Sequence, residues 1–547
     1  VSDDELSSNV VLSFLGRAGD DKIIGNNLTN NIYGGLGNDE LYGGDGSDTY
    51  VFKKGDGQDV IEDNGYYNSY SSKQDTETLM IHGYSPDEVL VARAEPTSAH
   101  LVITFKGTDD QITIHNTLLG GHSDQIENIQ FDDGTKWTIA QVRNLVLSQW
   151  ATDGNDVIHG FITGGDILEG GLGNDELYGG DGSDTYVFTK GDGQDVIEDN
   201  GYYHRHIGQD TETLLIHGYS PDEVLVARAE PTSAHLVITF KGTDDQITIH
   251  NTLLGGHSDQ IENIQFDDGT KWTIAQVRNL VLSQWATDGD DVIHGFITGG
   301  DILEGGLGND ELYGGDGSDT YVFTKGDGQD VIEDNGYYHR HIGQDTETLL
   351  IHGYSPDEVL VARAEPTSAH LVITFKGTDD QITIHNTLLG GHSDQIENIQ
   401  FDDGTTWTIA QVRHLVLSQW ATDGDDVIHG FITGGDILEG GLGNDELYGG
   451  DGSDTYVFTK GDGQDVIEDN GYYHRHIGQD TETLLIHGYS PDEVLVARAE
   501  PTSAHLVITF KGTDDQITIH NTLLGGHSDQ IENIQFDDGT TWTIAQV

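Results

Sequence analysis

The sequence predicts an all-β chain of four tandem units, each a parallel β-roll capped by a small, mainly antiparallel β module and joined to the next by a short helix. Three observations predict it. The string LGNDELYGGDGSDTYVF recurs from Leu36, Leu172, Leu307 and Leu442, at spacings of 136, 135 and 135 residues, and such a repeat sets the architecture before any local signal does. Inside each copy runs a nine-residue period, GGxGxDxUx with U a large apolar or aromatic residue, as in residues 170–178 followed directly by 179–187. Behind it come alternating β-branched runs separated by turn signals.

The copies are read as residues 1–150, 151–286, 287–421 and 422–547, the last stopping before its linking helix ends, as in an excerpt from a longer array. The first spacing is longer because Asn68-Ser69-Tyr70-Ser71-Ser72-Lys73 stands where the second copy carries the five residues His204-Arg205-His206-Ile207-Gly208. No signal-peptide pattern is read at Val1.

Composition narrows the function. With 24 Lys+Arg against 95 Asp+Glu the formal charge is 24 − 95 = −71. A surface so poor in cations cannot neutralise phosphates, which excludes nucleic acid as a partner. The 35% hydrophobic content is too high for a purely disordered acidic chain, yet charge of this size opposes compaction, so a cationic partner is expected. The absence of cysteine excludes disulfides and thiolate metal sites, and no apolar run approaches the ~18 residues of a membrane span.

The nonapeptides specify that partner. A glycine-rich six-residue turn followed by three residues with an apolar centre suits a coil of tight turns and very short strands, in which U fills a narrow core. Two nonapeptides make one coil, so turns on the same side come from repeats i and i+2. Asp156 then stacks near Asp175, Asp166 near Asp184, and Asp175 near Asp195. Unneutralised, these carboxylates repel, and so thin a core cannot offset the entropy of ordering the glycines. Calcium accepts six to eight oxygens in flexible geometry, which two aspartates and the turn carbonyls provide, whereas magnesium demands a stricter octahedron and holds its water. The candidate calcium ligands are Asp21, Asp39, Asp48 and Asp59 in the first copy; Asp156, Asp166, Asp175, Asp184 and Asp195 in the second; Asp291, Asp301, Asp310, Asp319 and Asp330 in the third; and Asp426, Asp436, Asp445, Asp454 and Asp465 in the fourth. The first copy departs at Asn30, which stands where the second has Asp166.

These nonapeptides resemble the RTX (repeats-in-toxin) haemolysin-type family, whose repeat is a calcium-binding parallel β-helix. The stretch from Thr213-Leu214-Leu215-Ile216 to Asn263-Ile264-Gln265-Phe266-Asp267-Asp268-Gly269-Thr270-Lys271-Trp272 resembles the haemolysin-type calcium-binding-related domain that often follows such rolls. The resemblance implies secretion by Gram-negative bacteria through a type I channel directed by a C-terminal signal, a signal not identifiable in this sequence.

After the roll, residues 223–228, 235–240 and 246–250 read as strands separated by turns such as Lys241-Gly242-Thr243-Asp244-Asp245. Their apolar residues would cap the roll's open edge. Ile274, Val277, Val281 and Trp285 then fall at near-helical spacing behind Thr273, an N-cap candidate.

Other chemistries fit less well. Glu198 and Asp210 follow the last clear nonapeptide and either complete a terminal site or line a solvated turn. His204-Arg205-His206 lacks a third close ligand for zinc and is absent from the first copy. His217, His235 and His250 lie in strands without an HExxH or GxSxG context. The glycines of GGLGNDELYGG neither follow a strand nor open a helix, and the neighbouring carboxylates would repel a pyrophosphate. Paired carboxylates suited to glycoside hydrolysis are explained by calcium ligation.

The sequence is therefore expected to be non-enzymatic. It reads as a calcium-dependent folding array of a large secreted bacterial protein, serving as a secretion aid and extended stalk at the cell surface or outside the cell. The alternative is an adhesive array holding a glycan or cell surface through the Tyr202-Tyr203 loop or the cap.

Overall fold

The computed structural model describes residues 11–63, 75–95, 97–119, 125–161, 163–199, 210–230, 232–254, 260–334, 345–365, 368–389, 396–431, 433–469, 480–524 and 531–547. The chain divides into two compact units, Val1–Arg278 and Asn279–Val547.

In the second copy, within the first unit, the nonapeptide strands alternate between two sheets. One sheet runs Val157–His159, Glu176–Tyr178, Gln194–Glu198, Gln246–Ile249, Leu236–Phe240 and Val224–Arg228; the other runs Ile167–Glu169, Thr185–Thr189, Thr213–His217, Asn263–Phe266 and Lys271–Thr273. Register is strict: Ile158 sits beside Leu177 and Leu177 beside Ile197, all parallel. On the facing sheet Leu168 sits beside Tyr186 and Tyr186 beside Leu214. These U-position side chains are buried to 2% exposure or less, whereas Val157 and Ile167, one residue earlier, are about half exposed. The period-two alternation of a strand is thus enough to place one apolar side chain per turn inside.

The glycines serve the turns by conformation and by absence of bulk. Gly173 has φ +140°, and a Cβ there would strike the Gly154 carbonyl of the preceding turn. Gly182, at φ +123°, lies equally close against Gly164.

The cap shares the roll's sheets and is not a separate module stacked on them. Gln246–Ile249 and Thr213–His217 continue the two roll sheets in parallel, and Asn263–Phe266 extends the second. The antiparallel strands close the far edges: Leu236–Phe240 and Val224–Arg228 on one sheet, Lys271–Thr273 on the other. The three strands expected after the roll are therefore present within a residue of their expected limits. The second unit repeats both sheets in each of its copies.

Three linking helices follow the caps: α1 (Ile139–Ser148), α2 (Ile274–Ser283) and α3 (Ile409–Ser418). The expected N-cap is formed, with the Gln276 amide N–H donating to Thr273 Oγ1 (3.3 Å) and the Thr273 N–H donating to Gln276 Oε1 (2.8 Å), a reciprocal capping box. Val277 and Val281 are buried as their spacing predicts. Trp285 is not on that face, because α2 ends at Ser283 and the indole lies beyond it, 37% exposed. What the helices bury alongside valine is arginine: Arg143 in α1 and Arg413 in α3.

Candidate calcium sites

Each roll turn ends in an aspartate whose carboxylate leans over the turn before it. Asp175 Oδ1 accepts the Asp156 N–H at 2.8 Å, Asp195 Oδ1 accepts the Asp175 N–H at 3.0 Å, and Asp184 Oδ1 accepts the Asp166 N–H at 2.7 Å. The expected stacking partners are therefore brought together. The first copy has the same ladder, from Asp59 to Asp39, Asp39 to Asp21 and Asp48 to Asn30. So do the third, where Asp310, Asp330 and Asp319 accept from Asp291, Asp310 and Asp301, and the fourth, where Asp445, Asp465 and Asp454 accept from Asp426, Asp445 and Asp436.

The second carboxylate oxygen tests whether a cation fits. Oδ2 of Asp21, Asp39, Asp48, Asp175, Asp184, Asp310, Asp445 and Asp454 is buried with no hydrogen-bond donor. Leaving so many acceptors unsatisfied is costly, and all are of one charge, so the missing partner is a cation. Around Asp175 and Asp184 the space is kept open by glycine: a Cβ on Gly170 would collide with Asp175 Oδ2, and one on Gly179 with Asp184 Oδ2. Among the described residues, no three His, Cys, Asp or Glu side chains gather into a metal group; what a pair of stacked turns offers a cation is two carboxylates and turn carbonyls, hard oxygens of the kind calcium takes.

Burial pushes the carboxyls upward: Asp48, Asp59, Asp195, Asp330 and Asp465 to about 7, and, even against the pull of Arg143 and Arg413, Asp184 to about 8 and Asp454 to about 9. Desolvation is the leading cause in each case, opposed by the ladder hydrogen bond.

The entry positions differ. Both carboxylate oxygens of Asp156 are held within its own turn, by the Thr152 N–H at 2.6 Å and the Thr152 hydroxyl at 2.9 and 3.1 Å. The Thr287 and Thr422 N–H groups bind Asp291 and Asp426 in the same way. Asp166 is already ion-paired, with Arg143 Nη2 3.0 Å from its Oδ1, and Asp436 pairs with Arg413 at 2.8 Å. Burial pushes the Asp166 and Asp436 carboxyls only to about 6, because the guanidinium opposes it.

Glu198 faces His250, whose Nδ1 lies 3.2 Å from Glu198 Oε2. His217 Nδ1 is 2.6 Å from Asp267 Oδ1, and His235 Nδ1 accepts the Asn251 N–H. The His204-Arg205-His206 and Tyr202-Tyr203 segments lie outside the described residues.

One group was missed by the sequence reading. Tyr186, fully buried, donates from its hydroxyl to Asp199 Oδ1 at 2.5 Å, and the Glu212 N–H donates to Glu262 Oε2 at 2.8 Å. Thr213 pairs with Thr185, so Glu212 holds the register position of Asp184 one coil later. The signal was Glu212-Thr213 echoing Asp184-Thr185, hidden by the long excursion between them.

Family models agree with this geometry. The RTX calcium-binding nonapeptide repeat model matches residues 15–50, 24–61, 163–197, 298–332 and 433–467, and the haemolysin-type calcium binding protein related domain matches 100–141, 235–276, 370–411 and 505–546. The chain belongs to the RTX calcium-binding repeat family. Calcium is accordingly the ion of these RTX rolls, with a haemolysin-type related domain continuing each one. The RTX array is 32% identical over 127 residues, 23% of its own length, to the iron-regulated protein FrpA of Neisseria meningitidis serogroup C, and that stretch is 11% of FrpA. The extracellular lipase LipA of Serratia marcescens aligns over 45% of this chain and 38% of its own, at 18% identity and a TM-score of 0.15, a value too low to carry an argument.

Proposed function

We propose that this chain is a calcium-dependent folding array of a large secreted bacterial protein, working as a folding and export aid and as an extended stalk, without catalysis of its own. The observation that carries the reading is the row of buried, donorless Oδ2 atoms between stacked turns. The aspartates of the ladder, Asp21, Asp39, Asp48 and Asp59 and their counterparts in later copies, are its proposed calcium ligands. When bound, calcium supplies the positive charge that holds facing carboxylates together. The turns themselves do the rest. Glycines admit the close approach, the ladder hydrogen bonds set the register, and the U side chains close the core once the turns are pinned.

Because the ligands must be assembled by folding, binding free energy becomes folding free energy. A chain of formal charge −71 stays open where calcium is scarce, as in the bacterial cytosol, and can thread a type I channel; it folds where calcium is plentiful, outside the cell. The adhesive alternative rests on the Tyr202-Tyr203 loop, which lies outside the described residues, or on the cap. The deciding experiment is far-UV circular dichroism of the whole chain, titrated with calcium and separately with magnesium after chelation. Folding by calcium and not by equal magnesium is expected. Identical spectra and hydrodynamic radius throughout would end the proposal.

A further inference from the structure

The turn that opens the second sheet of the roll is built differently from the turns that follow. From Gly160 to Asp166 it runs Gly-Phe-Ile-Thr-Gly-Gly-Asp, one residue longer than the next turn on the same side, Gly179-Gly180-Asp181-Gly182-Ser183-Asp184, with Phe161 where that turn has Gly180. The flanking positions are nevertheless in register, since His159 pairs with Tyr178 and Ile167 with Thr185.

What fills this turn comes from the copy before it. Arg143, on α1, reaches in with its side chain only 8% exposed. Its Nη2 donates to the Thr163 carbonyl at 2.5 Å and the Gly164 carbonyl at 3.3 Å, and lies 3.0 Å from Asp166 Oδ1. Asp166 Oδ2 is taken by the Phe161 N–H at 2.6 Å. Arg93, from the preceding cap, donates to the Gly160 carbonyl at 2.8 Å. The two guanidiniums lie 3.9 Å (Arg93) and 4.4 Å (Arg143) from the centre of the Phe161 ring. The second unit repeats the arrangement. Arg413 donates to the Thr433 and Gly434 carbonyls at 2.7 and 3.2 Å and pairs with Asp436, while Arg363 binds the His429 carbonyl and, like Arg413, stacks on Phe431.

A guanidinium that engages two turn carbonyls and the closing aspartate uses the same kinds of oxygen that a calcium ion draws on in the regular turns. The first copy supplies the control. Its corresponding turn, Gly25 to Asn30, follows an earlier strand of the same sheet, Leu12–Ala18; it has the regular length, and Asn30 supplies its own donor, the side-chain amide giving hydrogen bonds to the Leu28 carbonyl and to Asn26 Oδ1. A neutral residue with its own N–H groups needs no cation, whereas an aspartate at the same position does.

We propose that the entry turn is a docking site for the preceding copy's helix, in which Arg143 and Arg413 take the place of calcium, so that Asp166 and Asp436 are arginine partners and the joint between copies needs no metal. The inference rests on the reading that the other aspartate turns hold calcium.

The test counts calcium ions bound per whole chain by equilibrium dialysis with radiolabelled calcium. Asp166→Asn with Asp436→Asn is expected to leave the count at the wild-type value. Because that change strands a buried arginine, which destabilises, the same pair is also made together with Arg143→Gln and Arg413→Gln, which leaves the turn neutral as Asn30 leaves the corresponding turn of the first copy; this count too should be unchanged. Asp175→Asn with Asp445→Asn is the positive control and should lose ions. Loss of one ion per substituted joint in the four-residue variant would overturn the clamp. A wild-type chain that binds no calcium would instead overturn the proposed function.

Discussion

Removing calcium should make folding depend on pH, with acid favouring the fold. Burial pushes Asp184 up to about 8 in the folded roll, whereas an unfolded chain holds it near ~3.9. A raised carboxyl contributes stability that is fully present below the unfolded value and is lost as pH rises through the folded one. For Asp184, which is wholly buried, the loss between pH 5 and pH 8 is about 4 kcal/mol by proton linkage. Asp195, pushed to about 7, adds in the same direction, and Asp454, pushed to about 9, does the same in the fourth copy. Against a total stability of ~5–15 kcal/mol for an ordinary domain, this is enough to open a metal-free roll at pH 8 and to allow some folding at pH 5. The assay is urea denaturation of metal-stripped protein, followed by circular dichroism across pH 5 to 8, with a parallel series in saturating calcium. Metal-free stability that is flat or rises with pH would refute the account of the turns as stacked, uncompensated carboxylates. In calcium the slope should shrink, because the ion replaces the protons.

Other outcomes follow from single residues. Asp175→Ala should lower calcium affinity more than Asp156→Ala, because the Asp175 carboxylate spans to the turn before it and keeps a buried oxygen without a donor, while both oxygens of Asp156 are satisfied by Thr152; calorimetry giving the reverse order would sink the stacking scheme. Gly173→Ala should destabilise the calcium-loaded fold by about 1–3 kcal/mol from the positive φ alone, with the collision against Gly154 adding to it; a thermal midpoint unchanged from wild type would contradict this. Thr138→Ala should cost about 1 kcal/mol by uncapping α1, again read from thermal unfolding in calcium. Small-angle scattering on one-, two- and four-copy chains should give a maximum dimension that rises nearly in proportion to copy number, and a compact-ball dimension for the four-copy chain would refute the stalk.

Much of the fold was legible because it is written in short-range rules. The spacing of Asp156, Asp175 and Asp195 encodes stacking directly, and Ile158, Leu177 and Ile197 mark the inner face one strand at a time. Thr273 announces a helix start immediately before Ile274. What stayed hidden was set by partners distant in sequence. Glu212 continues the ladder of Asp184 only after a long excursion whose register no local pattern reveals. Asp166 matches its neighbours as a residue type, and only the fold shows Arg143 arriving from the helix before it. Arg143 itself sits among valines at helical spacing and reads as a solvated charge until the joint is assembled. Trp285 was placed on the helix because its spacing fits, but backbone termination at Ser283 decided otherwise.

The ladder has a direction. Every rung of aspartates runs from a backbone N–H in one turn to a carboxylate in the turn that follows it in the chain, so each coil borrows carboxylate oxygens from the coil after it and lends that coil backbone carbonyls in return, Asp156 to the Glu176 N–H and Asp175 to the Val196 N–H. The coils near Thr185–Thr189 and Thr213–His217 carry the longer strands and the bulky Tyr186 and Phe188. The roll therefore thickens along the chain, and each thin three-residue strand upstream leans on a carboxylate held by the better-packed coil after it.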